Sequence, residues 1–414
     1  MPAAAISRHY NGLVRILISA GEASGEMYGA QLIEALKAAE LRVAPEQGAA
    51  FPRSEIEFFG VGGERMRAAG CDTVVDTKEL AVVGITEILS HLPKIYGLFH
   101  RLIKEADKRR PDLAIVIDSP AFNWRVARQM HKRGIPVVYY VCPQFWAWRQ
   151  GRVRLLRKYV TKALVIFPFE ERFYRDRGVD ATFVGHPLAN LPKPTITRED
   201  YAEQHGLDPA KPWLTLMPGS RVKEVRMNLA TILEAANRLG SGFEFLLPVA
   251  PTLDREWLGG LIGLSIRLVP ESLSALAHSR AGIIASGTAT VEAAMMGTPF
   301  VMVYRVGGLT YLLGKPRVKV PYFAMVNLIA GKQIVPELVQ HDFTAENIVR
   351  EVKKILQDGL ARQQMIEDLA AVKTALQGTN QDKRQPAERA AEIILDLPVH
   401  SLTIRQSMQL FARG

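Results

Sequence analysis

The sequence predicts an α/β protein built from two doubly wound parallel sheets, one in each of two domains. Three observations carry that prediction. Short apolar runs alternate with longer amphipathic ones along most of the chain, as expected of strands buried on both faces between helices. A length of 414 residues exceeds what one core ordinarily serves and suits two domains of about 200 residues each. A proline-rich stretch, LPKPTIT at 191–197, reads as the linker between them. The boundaries that follow are 1–190, 191–385, and a helical tail, 386–414, that packs either on the first domain or on a partner subunit.

Composition narrows the function classes. A hydrophobic content of 48% with 23% charged residues is that of an ordinary globular enzyme. No apolar run approaches the ~20 residues that cross a bilayer, and the N-terminus lacks the apolar core of a secretion signal. Cys71 and Cys142 are the only cysteines, too few for a disulfide framework or metal cluster, and this suits a reducing compartment. The histidines show no metal-ligand spacing. The formal charge of +10 favours anionic partners. Basic residues cluster at Arg149, Arg152, Arg154, Arg157, Lys158 and Lys162, and again over Arg305–Lys319. No nucleic-acid module accompanies them, so nucleic acid is not an expected partner. A solvated basic face and a lipid-headgroup surface both remain open.

In the first half, Val14–Ser19 is a buried strand leading into Gly21-Glu22-Ala23-Ser24-Gly25-Glu26 and a helix carrying Leu32, Ile33 and Leu36. The glycines lack the dinucleotide spacing but permit close approach of a ligand. Residues 44–53 form a loop, and 58–63 resume an extended pattern. Ile85, Ile88, Leu89, Leu92, Ile95, Tyr96 and Phe99 then recur three and four apart, an amphipathic helix bent or restarted at Pro93. The pattern fits packing on a core and also fits an apolar face on a membrane or acyl chains. Asp112–Ile117 is a further buried strand, and Asp118 stands at its carboxyl tip, where open α/β sheets place their chemistry. Asp118 as a cap for the helix containing Asn123 is the alternative. Strands at 136–141, 163–167 and 182–184 bring the first sheet to six, and the 136–141 strand delivers Pro143-Gln144-Phe145-Trp146-Ala147-Trp148.

The second half opens with the strand Trp213–Met217, which leads into Pro218-Gly219-Ser220-Arg221. A glycine turn, a hydroxyl and a guanidinium at a strand tip suit a diphosphate. Strands at 243–249, 266–269, 282–285 and 299–304 follow. Between the last two, Ser286-Gly287-Thr288 makes a tight turn into a helix whose start attracts anions, with Glu292 one turn in, placed to accept hydrogen bonds from ribose hydroxyls. Capping by Thr288 and dipole compensation by Glu292 are the simpler reading of that turn alone. Two such glycine turns in one sheet favour ligand binding. Gly308–Lys315 is one residue too long for a P-loop, and Pro316 stands where its hydroxyl residue belongs. An Asp-x-Asp metal clamp, a serine elbow and a cysteine-nucleophile motif are also missing.

At finer grain, the stretches SAGEASGEMYGAQLI, GVGGERMRAAG, ELAVVGITEIL, IDSPAFN, YYVCPQFWAWRQGR, PFEERFY, GHPL, LMPGSRVKEV, ASGTATVEAAMMGTPFVMVYR and VNLIAGK run in order from residue 18 to about 335. Together they resemble the lipid-A-disaccharide synthase family, glycosyltransferases of the GT-B architecture in which two Rossmann-like domains face across a cleft. The resemblance implies transfer of diacylglucosamine from UDP-2,3-diacylglucosamine to 2,3-diacylglucosamine 1-phosphate, with inversion, giving a β-1,6-linked disaccharide phosphate and UDP. It implies Asp118 as general base and Gly219, Ser220, Arg221, Ser286, Gly287, Thr288, Glu292 and Asn327 on the UDP side. Glu22, Ser24 and Asn123 fall on the acceptor side. The apolar face of Ile85, Ile88, Leu89, Leu92, Ile95 and Tyr96 becomes the membrane- or acyl-facing element. No metal or cofactor is implied. The expected location is the cytoplasmic face of the inner membrane, on its phospholipid surface, with a homodimer as a further possible assembly. Residues 1–13 and 41–54 depart from the family pattern without interrupting a matched motif, and Cys142 carries no redox role. Another UDP-sugar enzyme on the same architecture, an epimerase or a peptidoglycan-type transferase, is the nearest alternative.

Overall fold

The computed structural model of the protein describes residues 13–42, 56–80, 88–263, 265–307, 320–378 and 384–397. Ile85, most of the 41–54 loop, the near-P-loop Gly308–Lys315 and the Ser401–Phe411 segment lie outside them. The chain forms two compact units, Met1–Pro187 with Gln381–Gly414, and Leu188–Asn380.

Unit 1 is a single parallel sheet with helices between its strands. In chain order the elements are β1 (Val14–Ala20), α1 (Ala23–Arg42), β2 (Ile56–Gly62), α2 (Glu64–Ala68), β3 (Cys71–Asp76), α3 (Thr77–Leu80) and α4 (Ile88–Arg109). There follow β4 (Leu113–Ile117), α5 (Pro120–Lys132), β5 (Val137–Tyr140), α6 (Val153–Tyr159), β6 (Lys162–Val165), α7 (Pro168–Arg175) and β7 (Ala181–Phe183). The sheet order is β3-β2-β1-β4-β5-β6-β7, and every neighbouring pair is parallel. Central strands such as LAIVI in β4 are buried at every position, because helices cover both faces. The sheet therefore has seven strands among the described residues, one more than the six expected. The extra strand, β3 (CDTVVD), is an edge strand whose exposed Asp72 and half-buried Asp76 break up its apolar run.

Unit 2 repeats the scheme with α8 (Arg198–His205), β8 (Trp213–Met217), α9 (Val222–Leu239), β9 (Glu244–Pro248), α10 (Arg255–Gly259), β10 (Ile266–Val269), α11 (Ser272–His278) and β11 (Ala281–Ala285). It continues through α12 (Thr288–Met296), β12 (Phe300–Tyr304), α13 (Met325–Ala330), β13 (Glu337–Val339), α14 (Ala345–Leu356) and α15 (Leu360–Gln377). Its sheet order is β10-β9-β8-β11-β12-β13. The chain then re-enters unit 1 as α16 (Pro386–Leu395), which packs on α1. Pro386, Ala387, Ala390, Ala391 and Ile394 form its buried face, and the Arg389 guanidinium donates to the Val184 carbonyl at 2.7 Å.

In each sheet the winding reverses once, between β1 and β4 in unit 1 and between β8 and β11 in unit 2. At such a reversal the helices leave to opposite faces and a crevice opens at the carboxyl ends of the two strands.

From Leu98 on, α4 packs one face on unit 1 through Leu98, Leu102, Ile103 and Ala106. Ile95 is half-buried and Tyr96 is 67% exposed. Ile88, Leu89 and Leu92 lie in the first turns of this helix. Among the described residues no helix is long and apolar enough to cross a membrane.

Candidate active site

Asp118 stands at the tip of β4, on the reversal of unit 1. Its backbone is held from both sides: its N–H donates to the Tyr140 carbonyl at 3.1 Å, and its carbonyl accepts from Tyr139 Oη at 2.8 Å. Asp118 and Ser119 both have φ of 47°. Two successive non-glycine residues in the left-handed region cost on the order of 1–3 kcal/mol each and persist only where the surroundings fix them. The effect is a sharp turn of the chain between β4 and the head of α5. Across the reversal, Glu22 and Ser24 are exposed at the tip of β1 and the start of α1.

Asn123, expected to face a ligand, is fully buried. Its Oδ1 accepts from Ser19 Oγ at 2.7 Å, and its Nδ2 reaches the carbonyls of Ser19, Ile117 and Asp118 at 3.1, 2.8 and 2.9 Å. An amide with both ends engaged by the tips of β1 and β4 ties those tips together. It positions Asp118.

The next strand carries CPQFWAWRQ. Tyr174 on α7 donates its hydroxyl to the Pro143 carbonyl, and Glu170, also on α7 and completely buried, accepts from Trp146 Nε1 at 2.8 Å. The second oxygen of Glu170 accepts the amides of Ile166 and Phe167 at 3.1 and 3.0 Å. Burial pushes the Glu170 carboxyl up to about 7, against the three donors that hold it down. Burial also pushes His186 down to about 3, so it is neutral, and raises the Cys142 and Cys71 thiols, the latter to about 12. Neither thiol is a nucleophile at neutral pH.

In unit 2 the two glycine turns flank the reversal. After β8, Gly219 has φ of 131°, and a Cβ there would stand 2.5 Å from the Glu224 side chain, so only glycine fits. The Glu224 carboxylate accepts the Ser220 amide at 3.0 Å and pairs with Arg221 at 3.3 Å. Ser220 and Arg221 are exposed. After β11, Gly287 has φ of 146° and caps α12 without any side-chain hydrogen bond; Thr288 is exposed beside it. The start of α12 thus has no side-chain cap, the kind of helix end that attracts anions. Ser286 Oγ donates to the Phe323 carbonyl at 2.9 Å. One turn into α12, the half-buried Glu292 accepts from Ser272 Oγ at 2.7 Å. Burial raises its carboxyl, and the Ser272 hydrogen bond opposes that rise.

Asn327, expected on the UDP side, lies on α13. It is fully buried; its Nδ2 donates to Val335 O and Glu337 Oε1 at 3.0 and 2.8 Å, and its Oδ1 accepts the Ile334 and Val335 amides at 2.8 and 2.9 Å. All four hydrogen-bonding positions are filled within the protein, and they tie α13 to the loop before β13. Among the described residues no group of three or more His, Cys, Asp or Glu side chains is arranged to hold a metal ion.

The family described as Lipid-A-disaccharide synthetase matches residues 16–394. The chain belongs to this family. It is 51% identical over 390 residues to the lipid-A-disaccharide synthase of Koribacter versatilis, covering 93% of this chain and 99% of the relative. With that of Acidobacterium capsulatum it shares 48% identity over 378 residues, covering 87% of this chain and 91% of the relative. Among solved structures, the kitacinnamycin glycosyltransferase matches with a TM-score of 0.60 at 16% identity, over 92% of this chain and 98% of that one. The UDP-GlcNAc 2-epimerase of Neisseria meningitidis, bound to UDP-GlcNAc, matches with a TM-score of 0.57 at 11% identity, over 93% and 98%. The fold is therefore the α/β, two-sheet GT-B architecture.

Three residues escape a reading by sequence. Glu170 lies in PFEERFY with nothing to mark it as the acceptor for Trp146. Ser272 is one serine among many, and its link to Glu292 spans 20 positions. Glu337 gathers the amides of Phe323 and Ala324 together with Asn327, and only the fold makes it a hub. No local signal reports any of the three.

Proposed function

We propose that this member of the lipid-A-disaccharide synthase family transfers the diacylglucosamine unit of UDP-2,3-diacylglucosamine to the 6-hydroxyl of 2,3-diacylglucosamine 1-phosphate. The observation that carries the reading is the family match across residues 16–394, since the architecture alone is shared with epimerases. The acceptor oxygen bonds to the anomeric carbon as the bond from that carbon to the UDP oxygen breaks, on the opposite face, so the centre inverts. The hydroxyl proton passes to the Asp118 carboxylate. The carboxylate takes the proton late, once bond formation has acidified the hydroxyl. The leaving diphosphate gathers charge that Arg221, the turn after Gly219 with Ser220, and the helix start at Ser286, Gly287 and Thr288 stabilise. Glu292, oriented by Ser272, accepts from the ribose hydroxyls. Glu22 and Ser24 bound the acceptor side.

The test is direct. Purified protein given both glycolipids releases UDP and forms a disaccharide phosphate; donor hydrolysis alone, or epimerised donor, overturns the reading. Arg221→Ala raises the Kd for UDP about tenfold or more by isothermal titration, the worth of one charge-assisted hydrogen bond. An unchanged Kd removes Arg221 from the diphosphate.

The apolar side of α4, with its exposed Tyr96 and the neighbouring Lys94, supports peripheral attachment to the cytoplasmic face of the inner membrane. Replacing Ile95 and Tyr96 together by Ser lowers partitioning onto phosphatidylglycerol-containing vesicles several-fold in a flotation assay; undiminished flotation returns the helix to a packing role. A second copy of the chain remains an expected partner, read by sedimentation equilibrium.

A further inference from the structure

The segment between β5 and α6 is shaped at considerable cost. It begins at Val141, a buried β-branched residue with φ of 57°, and reaches Arg149, with φ of 55°. Neither is a glycine, and a β-branched residue in the left-handed region is a genuine outlier. Between them the chain is pinned twice from α7, by Tyr174 to the Pro143 carbonyl and by Glu170 to Trp146. Gln150 Nε2 adds a third tie, to the Trp146 carbonyl at 3.0 Å. These buried ties leave two large side chains outside. Trp148 is 45% exposed, and the Arg149 guanidinium lies over its ring, 4.2 Å from the centroid. A guanidinium stacked on an indole is held in one plane with its edge free to take a planar pair of oxygens.

The segment leads into a run of exposed arginines. Arg149, Arg152, Arg154 and Arg157 are exposed, and none forms an ion pair with a described residue. Arg15, Arg67, Arg101, Arg109 and Arg133, elsewhere in unit 1, do. The segment also leaves the strand next to that of Asp118, to whose tip it is joined through Tyr139 and Tyr140.

We propose that Trp148 and Arg149 form the recognition site for the phosphate of the acceptor glycolipid, the indole lying against its apolar body and the guanidinium taking the phosphate oxygens. Glu170 is then a positioning residue for this pair. The assignment rests on the transferase reading given above, and it specifies where that reaction's acceptor is held.

The experiment compares wild type, Arg149→Ala and Arg149→Lys, binding either 2,3-diacylglucosamine 1-phosphate or its dephosphorylated counterpart in detergent micelles. Equilibrium binding is followed by tryptophan fluorescence and the UDP Kd is measured separately. Arg149→Ala is expected to weaken the phosphorylated lipid by about 10- to 100-fold, as for loss of a charge-assisted pair. The dephosphorylated lipid should bind wild type and variant alike, and Arg149→Lys, which keeps the charge and loses the planar fork, should fall between. The UDP Kd and flotation on phosphatidylglycerol vesicles stay as in wild type. Equal weakening of both lipids, no weakening of either, or a loss confined to vesicle binding overturns the assignment, the last giving the cation to membrane headgroups. Binding needs no turnover, so a wild type that binds as expected and forms no disaccharide sinks the transferase reading alone.

Discussion

Asp118→Asn lowers kcat by about 10³-fold while leaving the Kd for UDP within twofold of wild type, the range expected for loss of a general base. Asparagine is the informative replacement. It matches the carboxylate in size, and it tolerates the left-handed backbone that Asp118 occupies at φ of 47°. The turn is therefore kept and only the proton acceptor is removed. Alanine at the same place adds backbone strain and confuses the two effects. Steady-state kinetics with titration of UDP decides the matter: turnover retained with UDP binding lost moves the chemistry away from the tip of β4.

Glu170→Ala destabilises unit 1 by roughly 3–5 kcal/mol, seen as a fall of on the order of 10 °C in its Tm. The substitution leaves Trp146 Nε1 and the amides of Ile166 and Phe167 buried without an acceptor, and each orphaned donor costs about 1–3 kcal/mol. The pH dependence has a definite sign. Burial raises this carboxyl from its ordinary value to about 7 in the folded protein, so between about 4.5 and 7 the native state binds more protons than the unfolded chain. The stability linked to Glu170 is fully present below about pH 4.5 and declines as pH rises through 7, by up to about 3 kcal/mol. Glu170→Gln cannot ionise and removes that decline. Parallel Tm–pH curves for wild type and Glu170→Gln between pH 5 and 8 exclude Glu170 as their source.

The sequence was most legible where burial is uniform. Strands such as LAIVI and AGIIA are apolar at every position because both faces are covered, and such runs can be read directly. Two edge strands were not: CDTVVD is broken by Asp72, Thr73 and Asp76, and β13 has only three residues. The two glycine turns were visible as motifs, but their placement on either side of one reversal needed the strand order. Asn123 and Asn327 show the limit of motif reading. A motif fixes which residue stands near a site, whereas the direction of its side chain depends on which backbone groups the fold leaves wanting partners. In both cases strand tips or a loop engage both ends of the amide. The left-handed pair at Asp118 and Ser119 carried no glycine to announce it, since the pressure comes from Tyr139, Tyr140 and Asn123, all remote from that turn or on other elements.

Helix α16 belongs to unit 1 although all of unit 2 is translated before it. At about 5–20 residues per second, the ribosome needs on the order of 10 to 40 s to proceed from Pro187 to Pro386. During that interval the surface of α1 that Ala387, Ala390 and Ile394 eventually cover stays bare, while the uninterrupted stretch Leu188–Asn380 can mature first. Nascent protein thus carries an open greasy patch on α1 for tens of seconds, which makes that patch the natural place for a chaperone to act.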